Sequence, residues 1–127
     1  MNYRIILVDK FKKEAKKLLK KYTSLKEELQ ELKIQLLENP TLGTLIYENT
    51  YKIRLAVKSK GKGKSGGLRV ITHIFEVVVD ISEENKEQET IIFLLSIYDK
   101  SDVANLSKNY IKSIISDIED ELDDEEE

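Results

Sequence analysis

A basic segment that runs directly into an apolar strand is the part of this sequence best suited to chemistry. Residues 58–75, KSKGKGKSGGLRVITHIF, begin with lysines between small residues and continue as a strand that carries Arg69 and His73. Flexible ammonium groups bind phosphate without demanding a particular base. The segment therefore predicts contact with an RNA backbone. The candidate RNA-binding residues are Lys58, Lys60, Lys62 and Lys64.

The strand before this segment adds more positive charge. In NTYKIRLAVKS, residues 49–59, Lys52, Arg54 and Lys58 alternate with apolar side chains and so share the face opposite the core. Arg69 lies on the strand expected to pair with this one, which would gather these cations on one surface. Like charges placed opposite each other repel, and an anionic ligand would remove that cost.

Other site chemistries fit the sequence poorly. The GKS at residues 63–65 lacks the glycine that a phosphate-binding loop needs at position 58, and a strand rather than a helix follows it. The chain has no cysteine and one histidine, so neither a transition-metal site nor a cofactor is expected. His73, alone on a strand, is more typical of a packed residue than of a catalyst, although alternation gives it the same face as Arg69.

Charge is distributed very unevenly along the chain. Residues 1–75 carry a net charge of +10 and residues 76–127 a net charge of -13, of which DIEDELDDEEE at the end contributes 9 acids. A basic body suits a polyanion partner, and an acidic tail is usually solvated. No apolar run approaches the roughly 20 residues of a membrane span, and no secretory segment is recognisable. A cytoplasmic protein without membrane contact is therefore expected.

Periodicity predicts the elements that position these residues. Helical spacing of apolar residues runs from Asp9 to a break at YTS, and again from Ser24 to the stop before Pro40. Strands are predicted at 3–8, 49–59, 67–80 and 90–101, and Ser107 is expected to cap a last amphipathic helix. Helices followed by strands with tight connections predict an α+β domain with a largely antiparallel sheet.

Three stretches carry a resemblance to a known family. LENPTLGT, YKIRLAVKSKGKGKSGGLRVI and LLSIYDKSD occur in the order and spacing of RelE/HigB-like toxins of bacterial type II toxin–antitoxin modules, which the chain resembles over roughly residues 3–115. The resemblance implies two N-terminal helices packed on a small curved, mostly antiparallel four-stranded sheet, with a C-terminal helix. It implies a toxin domain at residues 1–116 and an acidic tail at 117–127.

The activity implied by this resemblance is that of a ribosome-dependent mRNA endoribonuclease. Such an enzyme cleaves by attack of a ribose 2′-hydroxyl on the adjacent phosphate, without metal. This reaction needs a base, a cation for the developing charge and an acid for the leaving oxygen. The implied partners are mRNA in the A site of the 30S subunit and a cognate antitoxin protein.

Site residues follow from the same resemblance, position by position. Lys52 is the better candidate base, with Arg54 beside it, and Arg69 matches a phosphate-clamping arginine whose guanidinium fork suits phosphate. Lys100 falls where many members carry a catalytic arginine. The tyrosine that many members place near the C-terminus has no clear match, so Tyr98 or Tyr110 is the candidate acid. The predicted catalytic set is Lys52, Arg54, Arg69, Tyr98 and Lys100.

A non-enzymatic function is the alternative. The chain would then be a ParE-like gyrase inhibitor or a degenerate toxin that only binds its antitoxin. The clustered cations favour the nuclease, whereas the unmatched C-terminal tyrosine favours the binder.

Overall fold

The part of the chain that the structure describes contains five strands and three helices. A computed structural model describes residues 2–60, 67–80, 82, 85–100 and 107–125. The strands are β1 (Asn2–Leu7), β2 (Thr44–Tyr47), β3 (Thr50–Leu55), β4 (Leu68–Asp80) and β5 (Lys86–Asp99). The helices are α1 (Asp9–Lys21), α2 (Leu25–Glu38) and α3 (Lys108–Glu125), and a 3-10 turn covers Lys58–Lys60. Both N-terminal helices follow β1 and precede the other four strands.

The strand order corrects the fold predicted from sequence. The sheet has five strands in the order β1-β5-β4-β3-β2, with β1 parallel to β5 and the other pairs antiparallel. The prediction of a mostly antiparallel four-stranded sheet is therefore wrong. Residues Asn2–Leu7 pair in order with Glu89–Leu94. Both of these segments are rich in apolar residues, and the sequence pattern of such segments does not fix the direction of pairing.

β2 is the one strand of this sheet that the sequence pattern does not predict. It has four residues, and two of them, Thr44 and Leu45, are exposed, so it lacks the alternation that marks a half-buried strand. A two-residue connection joins it to β3, with Asn49 at a φ of 54°, a conformation that asparagine tolerates. Gly43 has a φ of 103°, and a Cβ there would lie 2.6 Å from the carbonyl oxygen of Lys52. Only glycine lets β2 begin this close to β3.

The helices begin and end close to their predicted positions, although their first turns differ in detail. The N-cap of α1 is Val8 rather than Asp9, and Asp9 lies in the first turn, where a carboxylate favours the helix dipole. Ser24 is the N-cap of α2, as predicted, but makes no capping bond; its hydroxyl donates to Glu28 Oε1 at 2.9 Å. Ser107 caps α3 by accepting a bond from the backbone N–H of Tyr110 at 3.1 Å.

Each face of the sheet has its own apolar core. α1 and α2 cover one face, where their buried side chains meet those of β3, β4 and β5. α3 covers the other face with Ile111, Ile115 and Ile118, which pack with Ile71 and Phe93. Residues 91–99 of β5 are all buried, because β5 lies inside the sheet and between both helical layers.

The C-terminal helix carries much of the acidic sequence. α3 continues without a break through residue 117, where the sequence analysis begins an acidic tail, and Ile118 is buried in the core. The division into residues 1–116 and 117–127 stays a prediction. Among the described helices, none combines the length and the hydropathy that a membrane crossing requires.

A nearly buried ion pair fastens the start of the basic segment to the sheet. Lys60 Nζ lies 2.5 Å from Asp99 Oδ2, with the two side chains 14% and 5% exposed. Tyr22, at the end of α1, donates its hydroxyl to the same carboxylate oxygen at 3.2 Å. Ser59 adds a second connection, because its hydroxyl is 2.9 Å from that of Ser24. These bonds join α1, α2 and the end of β5.

The other end of the basic segment is fixed by close backbone packing. A Cβ on Gly67 would lie 2.2 Å from the carbonyl oxygen of Leu55. A side chain there would push β4 away from β3, so glycine is required at this position. Residues 61–66, including Lys62 and Lys64, lie outside the described residues.

Removing the carboxylate should reveal how much the ion pair contributes. We expect Asp99→Asn to lower the free energy of unfolding by about 3 kcal/mol, because the charge of Lys60 loses its buried counter-ion. The control Asp117→Asn removes an exposed carboxylate and should stay within about 0.5 kcal/mol of wild type. Urea unfolding measures both variants. Equal losses in the two variants would contradict a structural role for the pair.

Candidate anion-binding site

Three neighbouring strands bring Arg54, Arg69 and Tyr98 into one row. Arg54 on β3 pairs with Arg69 on β4, and Arg69 pairs with Tyr98 on β5. Residues directly opposite each other in antiparallel strands point to the same face of a sheet. The structure thus brings together three of the five residues predicted to be catalytic. We call Arg54, Arg69 and Tyr98 the cationic row.

Arg69 is an enclosed cation. It is 4% exposed, and its Nη1 donates to the carbonyl oxygen of Leu68 at 3.2 Å. Within the part of the chain that the structure describes, no carboxylate forms an ion pair with Arg69; the three pairs found there involve Arg4, Lys10 and Lys60. Enclosing a charge is costly, and an anion that contacts the guanidinium would reduce that cost.

Arg54 and Lys52 extend the positive charge outward from Arg69. Arg54 is exposed, and Lys52, two residues earlier on β3, is half-buried. Alternation along β3 gives Lys52 the same face as Arg54, and its partner across the sheet is Ile71. Lys52 therefore lies one row further along the same face.

Tyr98 is the member of the row that can donate a proton. Its burial raises the pKa of the phenol above its ordinary value of 10.0, and the charge of Arg69 opposes that rise. Tyr98 is 7% exposed and packs in the core beneath α3. At neutral pH the phenol therefore keeps its proton and remains a hydrogen-bond donor beside the guanidinium of Arg69.

The remaining lysines differ in their surroundings. Lys100 is exposed just beyond the end of β5, two residues after Tyr98, and Lys58 is exposed in the 3-10 turn. Lys60, a predicted RNA-binding residue, is instead engaged with Asp99, and its ammonium lies 5.9 Å from the centre of the Tyr22 ring. Sequence reasoning missed Asp99 and Tyr22. The available signal was Asp99 itself, a lone carboxylate at the end of the apolar half of β5, where a buried acid needs a cationic partner.

His73 is a packed residue away from the cationic row. It is 6% exposed, and its Nδ1 lies 3.0 Å from Thr50 Oγ1. Burial lowers its pKa, and the charge of Glu48 opposes that effect. This agrees with the expectation that a lone strand histidine is packed.

Comparison with known families adds no assignment, because no family model matches the chain. Among the described residues there is no cluster of three or more histidine, aspartate or glutamate side chains arranged to hold a metal ion.

The coupling between Arg69 and Tyr98 can be measured directly. We expect Arg69→Gln to raise the pKa of Tyr98 further, because the charge that favours the phenolate is removed. Tyrosine labelled with ¹³C at Cζ reports the titration by NMR, and Tyr98→Phe identifies the signal among the six tyrosines. The pKa of Tyr98 is higher in the folded protein than in the unfolded chain, so the protonated phenol contributes to the free energy of unfolding below about pH 10. That contribution is lost as the pH rises through the folded pKa. An unchanged or lowered Tyr98 pKa would show that the two side chains do not interact.

Proposed function

We propose that this protein is the toxin of a toxin–antitoxin module and cleaves ribosome-bound mRNA without a metal ion. The single observation that carries the proposal is the cationic row, in which an enclosed Arg69 lies between exposed Arg54 and the neutral phenol of Tyr98. This arrangement supports binding of a phosphate diester, and the resemblance to RelE/HigB-like toxins supports RNA as its source.

Phosphate binding follows from the charges in the row. Arg54 is accessible to a ligand from solvent, whereas Arg69 contributes positive charge from beneath the surface. Guanidinium groups bind phosphate through paired, charge-assisted hydrogen bonds. Two of them side by side would also stabilise the additional negative charge of a pentacoordinate phosphorus.

The reaction divides between a base and an acid. In the proposed step, Lys52 accepts the proton of the ribose 2′-hydroxyl as the 2′-oxygen forms a bond to phosphorus. The bond from phosphorus to the 5′-oxygen breaks, and that oxygen takes a proton from Tyr98 or Lys100. The products are a 2′,3′-cyclic phosphate and a 5′-hydroxyl, and every proton is accounted for by side chains of this chain.

Partner binding is proposed to use the same surface. The cognate antitoxin would cover the cationic row with an acidic segment and so block access of mRNA in the 30S A site. Charge complementarity of this kind speeds association and weakens as salt increases.

One observation favours the alternative of binding without cleavage. Arg69 and Tyr98 are only 4% and 7% exposed, so direct contact with a scissile phosphate requires the ligand to reach well below the surface. A ParE-like gyrase inhibitor or a toxin that only binds its antitoxin would not need that contact.

Cleavage chemistry on translating ribosomes distinguishes these functions. We expect wild-type protein to arrest bacterial growth and to produce mRNA fragments whose downstream piece begins with a 5′-hydroxyl. Arg54→Gln should slow cleavage by about 100-fold, because one stabilising donor is lost from the transition state. The matched control is Arg4→Gln, another exposed strand arginine, which lies on β1 and pairs with Glu89. Its activity should equal that of wild type.

Two results would contradict the proposal. A 5′-phosphate on the downstream fragment would indicate attack by water rather than by the 2′-hydroxyl. Growth arrest without fragments, together with inhibited supercoiling by DNA gyrase, would assign the protein to the ParE-like alternative.

A further inference from the structure

A groove lies at the other end of the sheet, between the β2–β3 turn, β4 and α3. Its volume is about 590 Å³, within the range of sites that hold a small ligand or a side chain of a partner. His73 and Phe75 of β4 line it, together with Tyr47 of β2 and Glu119 of α3. The cationic row does not contribute to it, so the groove is a separate feature.

Hydrogen bonds within the fold determine the proton position on His73. The Thr50 hydroxyl donates its single proton to the carbonyl oxygen of Glu48 at 2.9 Å. In this arrangement Thr50 Oγ1 accepts at its 3.0 Å contact with His73 Nδ1, which favours the tautomer with the imidazole proton on Nδ1. In the neutral ring, Nε2 then presents a lone pair.

That lone pair is available to a ligand in the groove. The only hydrogen bond found for His73 uses Nδ1, so Nε2 has no partner among the described residues. Thr72 Oγ1 is the one fully enclosed side-chain polar atom without a partner in the described ranges, so the unpartnered Nε2 is not fully enclosed and is accessible from the groove that His73 lines. His73 as a whole is 6% exposed, and its Nε2 is an accessible acceptor that no described side chain or backbone group satisfies.

The other polar groups of the groove favour a cation. Glu48 and Glu119 supply carboxylates, and Lys112 is the one basic side chain in its lining. Glu76 also lines the groove, but its carboxylate accepts a hydrogen bond from Gln88 Nε2 at 2.9 Å. The ammonium of Lys112 lies 5.2 Å from the centre of the Tyr47 ring, which shows that a cation already occupies an aromatic face there. Carboxylates and an imidazole lone pair all accept hydrogen bonds, so a donor-rich cation suits the groove and a phosphate does not.

The free edge of β4 beside the groove indicates a polypeptide ligand. β3 pairs with β4 only as far as His73, opposite Thr50, whereas β4 continues to Asp80. Beyond Ile74, whose N–H donates to the carbonyl oxygen of Asn49, this edge of β4 has no strand partner in the described ranges. Unpaired backbone groups of this kind accept an added strand.

We propose that the groove binds an arginine side chain of a partner polypeptide, which adds along the free edge of β4. A guanidinium is planar, stacks on aromatic rings such as that of Phe75, and donates up to five hydrogen bonds. In the complex it donates to His73 Nε2 and to the carboxylate of Glu119. This site is distinct from the cationic row and does not depend on RNA cleavage.

The single histidine gives the test a clean signal. The probes are the blocked peptide valyl-arginyl-valine, the same peptide with neutral citrulline in place of arginine, and N-acetyl-arginine methylamide alone. We expect the arginine peptide to shift the imidazole signals of His73 in NMR titrations. Binding of the citrulline peptide should be weaker by about tenfold or more, because charge-assisted hydrogen bonds are lost.

Matched variants locate the binding site. Glu119→Gln should weaken binding of the arginine peptide by about tenfold, whereas Asp117→Asn on the same helix, which lines a different cavity, should not change it. Equal binding of the arginine and citrulline peptides, or equal binding by the two variants, would overturn the proposal. Equal affinity for N-acetyl-arginine methylamide would overturn the polypeptide part, since the added strand would then contribute nothing.

Discussion

The antiparallel pairing of β4 with β5 is the constraint on which both sites depend. It runs from Leu68 opposite Asp99 to Asp80 opposite Lys86, with one irregularity between Ile71 and Thr72. At that point β5 contains an extra residue, Leu95, which changes the alternation of the strand. Beyond it, Tyr98 rather than Ile97 shares a face with Arg69. This bulge therefore creates the cationic row, and an unbroken ladder would place an apolar side chain next to the arginine.

Two electrostatically opposite sites thus occupy one face of a single sheet. The cationic row lies at the end of β4 that follows the basic segment, and the groove beside His73 lies at the other. Ile71 and its apolar neighbours under α3 separate them, so the charges of one site do not neutralise those of the other. Near the row, the pair of Lys60 with buried Asp99 secures β5 to the turn that begins the basic segment. A protein with a small net charge can in this way present a cationic surface and an acidic groove to different ligands.

Periodicity predicted the helices and the four longer strands, although β5 begins at Lys86 rather than at residue 90 and is buried on both faces along residues 91–99. It failed for β2, which is short and half exposed, and for the parallel direction of β1, which apolar composition does not specify. The grouping of Arg54 with Arg69 followed from alternation on two paired strands. The role of Lys60 did not, because lysine in a basic segment suggests solvent exposure, and its partner Asp99 lies 39 residues away. The bulge at Leu95 is likewise invisible in a strand whose residues are almost all apolar.

Binding of an RNA phosphate by Arg54 and Arg69 is the central claim, and the arginine side chains can report it themselves. The chain has three arginines, Arg4, Arg54 and Arg69, so an NMR spectrum of their Nε–H groups contains one signal from each. A dinucleotide with a 2′-O-methyl group supplies the phosphate diester but blocks 2′-hydroxyl attack. We predict that titration shifts the Arg54 and Arg69 signals with one dissociation constant and leaves Arg4 unmoved. Equal shifts of all three signals, or no shift of Arg54 and Arg69, would contradict the claim.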